Sequence, residues 1–207
     1  MSELDLWELD LWELERGAQC DGLICGVDEA GRGPLAGPVC AAAVILPMGL
    51  ELPGLNDSKK LSDARRRALY PQIIEQALAY GIAYATEAEI EAVNILQATF
   101  LAMRRAVEQL ARTPALVLVD GNRDPALPFP TRTVVGGDGR SANIAAASIL
   151  AKVSRDDCML ELDQRYPEYG FAIHKGYGTK RHYEALRTHG PCPAHRQSFL
   201  RKFYERT

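Results

Sequence analysis

Long apolar runs are missing from this sequence. The longest unbroken stretch of Ala, Val, Ile, Leu, Met, Phe, Trp, Tyr and Cys is Val39 to Leu46, closed off by Pro38 and Pro47. A helix needs about 20 such residues to cross a bilayer, so no transmembrane helix is expected. A basic start is missing too, because Met1-Ser2-Glu3-Leu4-Asp5 is acidic where a signal peptide is basic. Paired cysteine spacing is also absent. Cys20, Cys25, Cys40, Cys158 and Cys192 are odd in number and form no disulfide pattern, so a reduced, cytoplasmic protein away from membranes is expected. There is no Gly-x-Ser-x-Gly nucleophile elbow and no cysteine in a recognisable catalytic signature, which argues against acyl-enzyme chemistry.

What remains has ordinary globular proportions: 207 residues, 47% hydrophobic and 25% charged. That is enough for one domain with a sizeable core. The net charge of −3 hides an asymmetry. Residues 1–25 hold seven acids against Arg16, a net of −6, whereas 174–207 hold eight Lys or Arg against Glu184 and Glu205, a net of +6. A basic C-terminal quarter is a candidate polyanion surface, with Arg196, Arg201 and Lys202 expected to grip a nucleic-acid backbone. The acidic end repeats itself (Leu4-Asp-Leu-Trp-Glu8, then Leu9-Asp-Leu-Trp-Glu13), and Leu4, Trp7, Leu11 and Leu14 suit an amphipathic helix ending near Gly17. Residues 1–20 read as an acidic appendage and 21–207 as one catalytic domain that includes the basic helical region.

Periodicity predicts strands at Leu23–Val27, Val39–Leu46, Ile82–Thr86, Ala115–Val119 and Thr131–Val135. Helices are predicted from Ser62 or Asp63 toward Ala79 with an interruption at Pro71, over Asn94–Arg112, over Ser141 to about Arg165, and over Thr179–Thr188. Strands first and then alternation with helices implies an α/β fold, a mixed β-sheet flanked by helices.

Acidic residues stand where three of these strands end: Asp28-Glu29, Asp120, and Asp138 after Gly136-Gly137. Ligands bind at the carboxyl ends of strands in open α/β sheets. An Asp before Gly is by itself usually a turn former. Asp28 and Glu29 point to opposite faces of a strand and share a site only if the strand breaks, as Gly31 and Gly33 would permit. Gathered carboxylates repel unless a cation holds them, and oxygen ligands without His or Cys favour Mg²⁺ or Mn²⁺ over zinc. Two such ions are the usual apparatus of phosphodiester hydrolysis.

Taken with these acids, Gly26-Val-Asp-Glu-Ala-Gly-Arg-Gly-Pro-Leu-Ala-Gly-Pro38 resembles the signature of the bacterial ribonuclease HII family. The resemblance continues through Asn56-Asp-Ser-Lys-Lys-Leu61, Val119-Asp-Gly121, Gly137-Asp138, Ala145–Val153 with Arg155-Asp156, His174-Lys-Gly-Tyr-Gly-Thr179 and His195-Arg-Gln-Ser-Phe199. It covers roughly residues 23 to 200 and leaves out the acidic repeat. It implies a ribonuclease H-like fold with a small helical C-terminal region, and hydrolysis of the RNA strand of RNA/DNA hybrids. It also implies cutting 5′ of single ribonucleotides embedded in duplex DNA, with two divalent ions. Carried over, Asp28, Glu29, Asp120 and Asp138 are the catalytic acids and metal ligands. Gly31, Arg32 and Gly33 correspond to the loop that touches the ribose 2′-hydroxyl, and Tyr177 to the tyrosine at the RNA–DNA junction. The residues agree with those roles: glycines admit a sugar–phosphate backbone, and the 2′-hydroxyl is what marks RNA. Lys59, Lys60, Lys175 and Lys180 are candidate phosphate contacts. A monomer is expected.

Two rival readings are weaker. Gly31-x-Gly33-x-x-x-Gly37 is one residue too long for a dinucleotide loop and follows two acids. His182, His189, Cys192 and His195 match no common zinc spacing. A hybrid-binding protein without catalysis is the alternative from another class, and the four acids count against it.

Overall fold

The computed structural model describes residues 10–18 and 20–204, apart from the side chain of Lys202. Strands β1 (Ile24–Ala30), β2 (Val39–Ile45), β3 (Ala79–Ala85), β4 (Leu116–Asp120) and β5 (Thr131–Val134) form one sheet in the order β3-β2-β1-β4-β5. β1, β2 and β3 form an antiparallel meander, while β4 and β5 join β1 in parallel, so the sheet is mixed. The helices are α1 (Glu13–Arg16), α2 (Asp63–Gln76), α3 (Glu87–Glu108), α4 (Ala142–Arg165), α5 (Phe171–His174), α6 (Lys180–His189) and α7 (Arg201–Tyr204).

Strand alternation divides the core. One face, with Val27, Val39, Ala41, Ala43, Val117 and Val119, packs on α3 through Ala98, Ala102, Met103 and Ala106. The other face, with Cys40, Ala42 and Val44, packs on α2 and α4 through Leu69, Ile73, Ala146, Ala147 and Leu150. The early alanines of α4 allow near-contact with the sheet. At Gly26 a Cβ would lie 2.2 Å from the Asn143 carbonyl carbon and the Ile144 nitrogen, so only glycine fits where β1 meets the start of α4. That contact fixes the height of β1 against the turn before α4, the two places that carry Asp28 and Asp138.

Three expectations change. β1 does not stop at Asp28-Glu29: it pairs with β2 as far as Ala30↔Cys40, and the break comes on the other side, where β4 ends at Asp120. α2 runs unbroken through Pro71. A proline there costs one hydrogen bond and some strain, while buried Leu69 and Ile73 on either side anchor both turns to the core. α3 begins at Glu87, capped by a reciprocal Thr86–Glu89 box, and Asn94 is a joint inside it at φ 69°. The Asn94 carboxamide oxygen accepts from the Leu96 and Gln97 amides, so it caps the second segment and imitates a helix start in the sequence.

Leu4 and Trp7 lie outside the described residues. Those from Asp10 onward pack on the body: Leu11 and Trp12 against the α2–α4 layer, and Leu14 beside Ile24, Leu118 and Ile144. Glu15 is buried, and its Oε1 accepts from the Ser141 hydroxyl (2.6 Å), the Asn143 amide (3.2 Å) and the Asn143 side chain (3.1 Å). A carboxylate thus sits at the positive end of α4.

Candidate active site

The last parallel pair of β1 and β4 is Val27↔Val119, which puts Asp28 and Asp120 side by side on the α4 face, one residue further on. Asp138 arrives from the single 3-10 turn Gly137–Gly139 between β5 and α4. Asp28, Asp120 and Asp138 each offer a carboxylate oxygen, and these oxygens lie within 4.8 Å of one another. Backbone amides hold two of them: Glu29 donates to Asp28 Oδ1 (2.7 Å) and Gly137 to Asp120 Oδ1 (2.7 Å). Burial, followed by the charges of Glu29 and Asp120, pushes Asp28 well above the ordinary carboxylate range. Burial and then Asp138 raise Asp120. Lys59 answers part of this charge from its own loop, with Nζ 2.8 Å from Asp138 Oδ2, and that bond raises the lysine. Buried, mutually repelling carboxylates with no nitrogen or sulfur ligand suit a hard divalent cation.

Glu29 faces the α3 side, as alternation along an unbroken strand requires. Its Oε1 accepts from Arg32 Nη1 at 3.2 Å, and burial raises its pKa. The structure therefore gathers three of the four candidate acids and leaves Glu29 at the rim. Two clefts meet there. One, about 150 Å³, is lined by Asp28, Glu29, Gly31, Lys59, Lys152 and Tyr177, together with Ser58 and Ser148. The other, about 280 Å³, runs from Glu29 and Arg32 past Asp120 to Asn122, Arg123 and the α3 residues Leu96, Thr99 and Phe100. Gly33 lies against the exposed Tyr177, with 3.6 Å from the position of a Cβ at Gly33 to the ring.

Of the candidate lysines, Lys59 is at the acids and the Lys60 ammonium lies beside Gly139, in the turn that carries Asp138. Lys175 is half-buried at φ 51°, and Lys180 reaches out toward Glu184 at 3.9 Å. Arg196 is a correction. It is fully buried and cannot grip a duplex: its guanidinium donates to the carbonyls of Gly31, Arg32, Pro34 and Gly37. The basic charge counted in the C-terminal quarter is in this case a brace beneath the Gly31–Gly37 loop. Burial lowers its pKa to about 9. Arg155 belongs to the same underside, and sequence reading assigned neither arginine that place. Both occur within the resembling motifs, but nothing in their spacing distinguishes a guanidinium bound to carbonyls from one bound to phosphates.

The rival sites dissolve. The Gly31–Gly37 loop leads into β2, not a helix, so no helix N-terminus awaits a pyrophosphate. His182 and His195 do meet, Nε2 to Nε2 at 2.9 Å, but every ring nitrogen is used internally. The Cys192 amide donates to His195 Nδ1, so His195 Nε2–H donates to His182 Nε2, and His182 Nδ1–H donates to the Tyr177 carbonyl. His189 faces Tyr169 edge-on. Among the described residues, Asp28, Asp120 and Asp138 form the group placed to hold a metal. The five cysteines are free, and burial pushes Cys25 and Cys40 up to about 12, which leaves them poor nucleophiles.

Comparison with known proteins agrees with this geometry. The family model for ribonuclease HII matches residues 25–206. Ribonuclease HII of Desulfitobacterium hafniense (strain DSM 10664 / DCB-2) is 60% identical over 176 residues, 85% of this chain and 68% of that one. Ribonuclease HII of Syntrophotalea carbinolica is 58% identical over 176 residues, 85% of this chain and 84% of that one. The crystal structure of ribonuclease H2 from Pyrococcus horikoshii OT3 superposes with a TM-score of 0.73 at 28% identity, covering 89% of this chain and 98% of that chain. With a five-stranded mixed sheet, an acidic triad at its centre and relatives this similar over most of their length, the chain belongs to the ribonuclease HII family of metal-dependent endonucleases, which hydrolyse the RNA strand of RNA/DNA hybrids.

Proposed function

We propose that this enzyme also cuts duplex DNA on the 5′ side of a single embedded ribonucleotide, leaving a 3′-hydroxyl and a 5′-phosphate. One observation carries the reading: Asp28, Gly31 and Tyr177 line a single cleft, so an acid, a glycine loop and an exposed ring converge on one nucleotide step. Asp28, Asp120 and Asp138, with Glu29 from the rim, would hold two divalent cations, Mg²⁺ or Mn²⁺. Bound there, such ions activate water and offset the charge of the leaving oxygen.

The remaining work falls to the protein. Water adds to phosphorus and the bond to the 3′-oxygen of the preceding deoxynucleotide breaks; that oxygen leaves as a hydroxyl. The ribose 2′-hydroxyl lies on the far side of its own sugar from that phosphate and cannot attack it, so it serves for recognition. Gly31, Arg32 and Gly33 bring backbone groups to the 2′-hydroxyl without a Cβ in the way at either glycine. Tyr177 sets its ring against the following deoxyribose, and Lys59 and Lys60 stand at the flanking phosphates. Lys175 and Lys180 complete a basic rim. Residues 21–207 carry the catalytic groups, with Leu11, Trp12, Leu14 and Glu15 packed against them, and the chain works as a monomer in the cytoplasm. No described helix is long and apolar enough to cross a membrane.

The test is a DNA duplex with one ribonucleotide, incubated with Mg²⁺ or Mn²⁺ and with excess chelator. A nick 5′ of the ribonucleotide, dependent on metal and ending in a 3′-hydroxyl, is expected. A 2′,3′-cyclic phosphate, undiminished cutting in chelator, or binding without cutting would overturn the proposal.

A further inference from the structure

Arg155 is a charge buried without an acid. It is 1% exposed on α4, and the adjacent Asp156 gives its carboxylate to Lys152 Nζ at 2.6 Å. All three kinds of guanidinium nitrogen donate to backbone carbonyls: Nε to Pro38 (3.1 Å), Nη2 to Ala36 (3.1 Å) and Nη1 to Lys175 (3.0 Å). Two of those carbonyls belong to the Gly31–Pro38 loop and the third to the turn that presents Tyr177. Those segments are far apart in sequence, and one rigid planar group spans them.

The contact is close on both sides. A Cβ at Gly31 would come within 1.8 Å of Arg155 Nε, so the loop lies directly on the guanidinium. Lys175 adopts φ 51°, a left-handed conformation costly for a residue with a Cβ, and its carbonyl is the one Arg155 holds. Gly176 follows at φ 83° and accepts the Leu35 amide at 2.8 Å, a second tie between the same two loops. Burying an arginine among neutral carbonyls stabilises a fold less well than a packed apolar side chain of its size. What the guanidinium supplies, and a methionine could not, is a fixed separation between three carbonyls.

We infer that Arg155 is a positioning residue for junction recognition, setting the distance between the loop that meets the 2′-hydroxyl and the tyrosine that meets the neighbouring deoxyribose. This rests on the reading of Gly31–Gly33 and Tyr177 proposed above. A continuous RNA/DNA hybrid offers further 2′-hydroxyls to orient the strand, so it depends less on that separation. A lone ribonucleotide has no such substitute.

The experiment uses the full chain and compares a duplex carrying one ribonucleotide with an all-RNA/DNA hybrid of the same sequence. Arg155→Lys keeps the charge but cannot span three carbonyls. It is expected to lower kcat on the single ribonucleotide by about tenfold or more with KM nearly unchanged, and to lower hybrid cutting by less than about threefold. In a Tyr177→Ala background the same substitution is expected to add no further loss of selectivity, because the ring it positions is gone. Arg155→Ala supplies the second variant: millimolar guanidinium should restore selective cutting by refilling the cavity. Equal losses on both substrates, fully additive losses in the double variant, or failure of guanidinium to restore selectivity in a folded Arg155→Ala protein would overturn the inference. If Tyr177→Ala lowers selectivity and Arg155→Lys does not, the inference alone fails. If Tyr177→Ala leaves selectivity intact, the underlying reading fails and carries the inference with it.

Discussion

Buried charge takes two opposite forms in this molecule. Asp28, Asp120 and Asp138 are gathered with like charge, and Lys59 answers only part of it. Glu15, Arg155 and Arg196 are each alone and wrapped in groups of the opposite polarity, mostly backbone. The first kind leaves an electrostatic demand that only a ligand meets; the second is answered within the fold, Glu15 Oε2 excepted, and holds shape. Removing a charge from the first should therefore cost activity and not stability; removing one from the second should cost stability, and activity only through the loops it holds in place. Asp120→Asn is the sharpest test. It is expected to lower cutting by about 10³-fold or more, since a ligand and a charge at the reacting centre are lost together. Because burial and Asp138 raise Asp120, losing the charge relieves repulsion, and the variant should melt at or slightly above the wild-type Tm. A variant that loses Tm along with activity would erase the distinction.

Arg196→Met tests the other side. Four carbonyls of the Gly31–Gly37 loop lose their donor, and a cost of about 3 kcal/mol in denaturant unfolding is expected. Since the side chain never reaches solvent, the salt dependence of duplex binding by the folded variant should stay that of the wild type. A phosphate contact would instead lower the slope of log K against log salt by about one.

The histidines supply a third arrangement, groups kept uncharged. Burial lowers His182 and His195 to about 4, against about 6.5 in an unfolded chain. Between those values the unfolded state binds more protons, so their contribution is complete above about pH 6.5 and is lost as pH falls toward about 4. A second proton on His182 would set two N–H groups face to face across the 2.9 Å contact, and one on His195 Nδ1 would face the Cys192 amide at 3.0 Å. A Tm drop of roughly 5 °C from pH 7 to pH 5 is expected, with His182→Asn flattening the slope because its amide can still donate to Tyr177 but does not titrate. Asp28 and Asp120, raised in the fold, pull the other way, and saturating Mg²⁺ should therefore steepen the acid loss.

Much of this was legible in the residues, and the gaps share one cause. The acids stand out because charge at the end of an apolar strand is anomalous anywhere. Asp28 and Glu29 also carry in their adjacency the opposite orientations that the structure shows. What could not be read is which charges go inside. Arg196 in a basic segment and Glu15 in an acidic one have the composition of a solvated surface, and only the three-dimensional course of the Gly31–Gly37 loop and the start of α4 makes each the partner of buried backbone. Asn94 misled for a local reason: a residue that caps a second helical segment has the signature of one that begins a helix.

The smallest expected effect separates the two parts of the acidic N-terminus. Glu15 Oε1 accepts three hydrogen bonds at the start of α4, whereas its buried Oε2 finds no hydrogen-bond partner among the described residues. In Glu15→Gln the amide oxygen can keep the three donors, but its NH₂ then points where there is no acceptor, and the negative charge at the helix N-terminus is gone. Together these should cost about 1–2 kcal/mol. Deleting residues 1–9 takes Glu3, Asp5 and Glu8, three of the seven acids in residues 1–25, and leaves Asp10, Glu13 and Glu15 in place. That shorter deletion is expected to change neither Tm nor cutting, while deletion of residues 1–17 should lower Tm by more than Glu15→Gln, because Leu11, Trp12 and Leu14 leave the core as well. Ser141, which donates to Glu15 and caps α4, stands three residues after Asp138, so the longer deletion should also reduce cutting where the shorter does not. If both deletions behave alike, Glu15 is a surface charge after all, and the opposition between gathered and wrapped charges loses its acidic example.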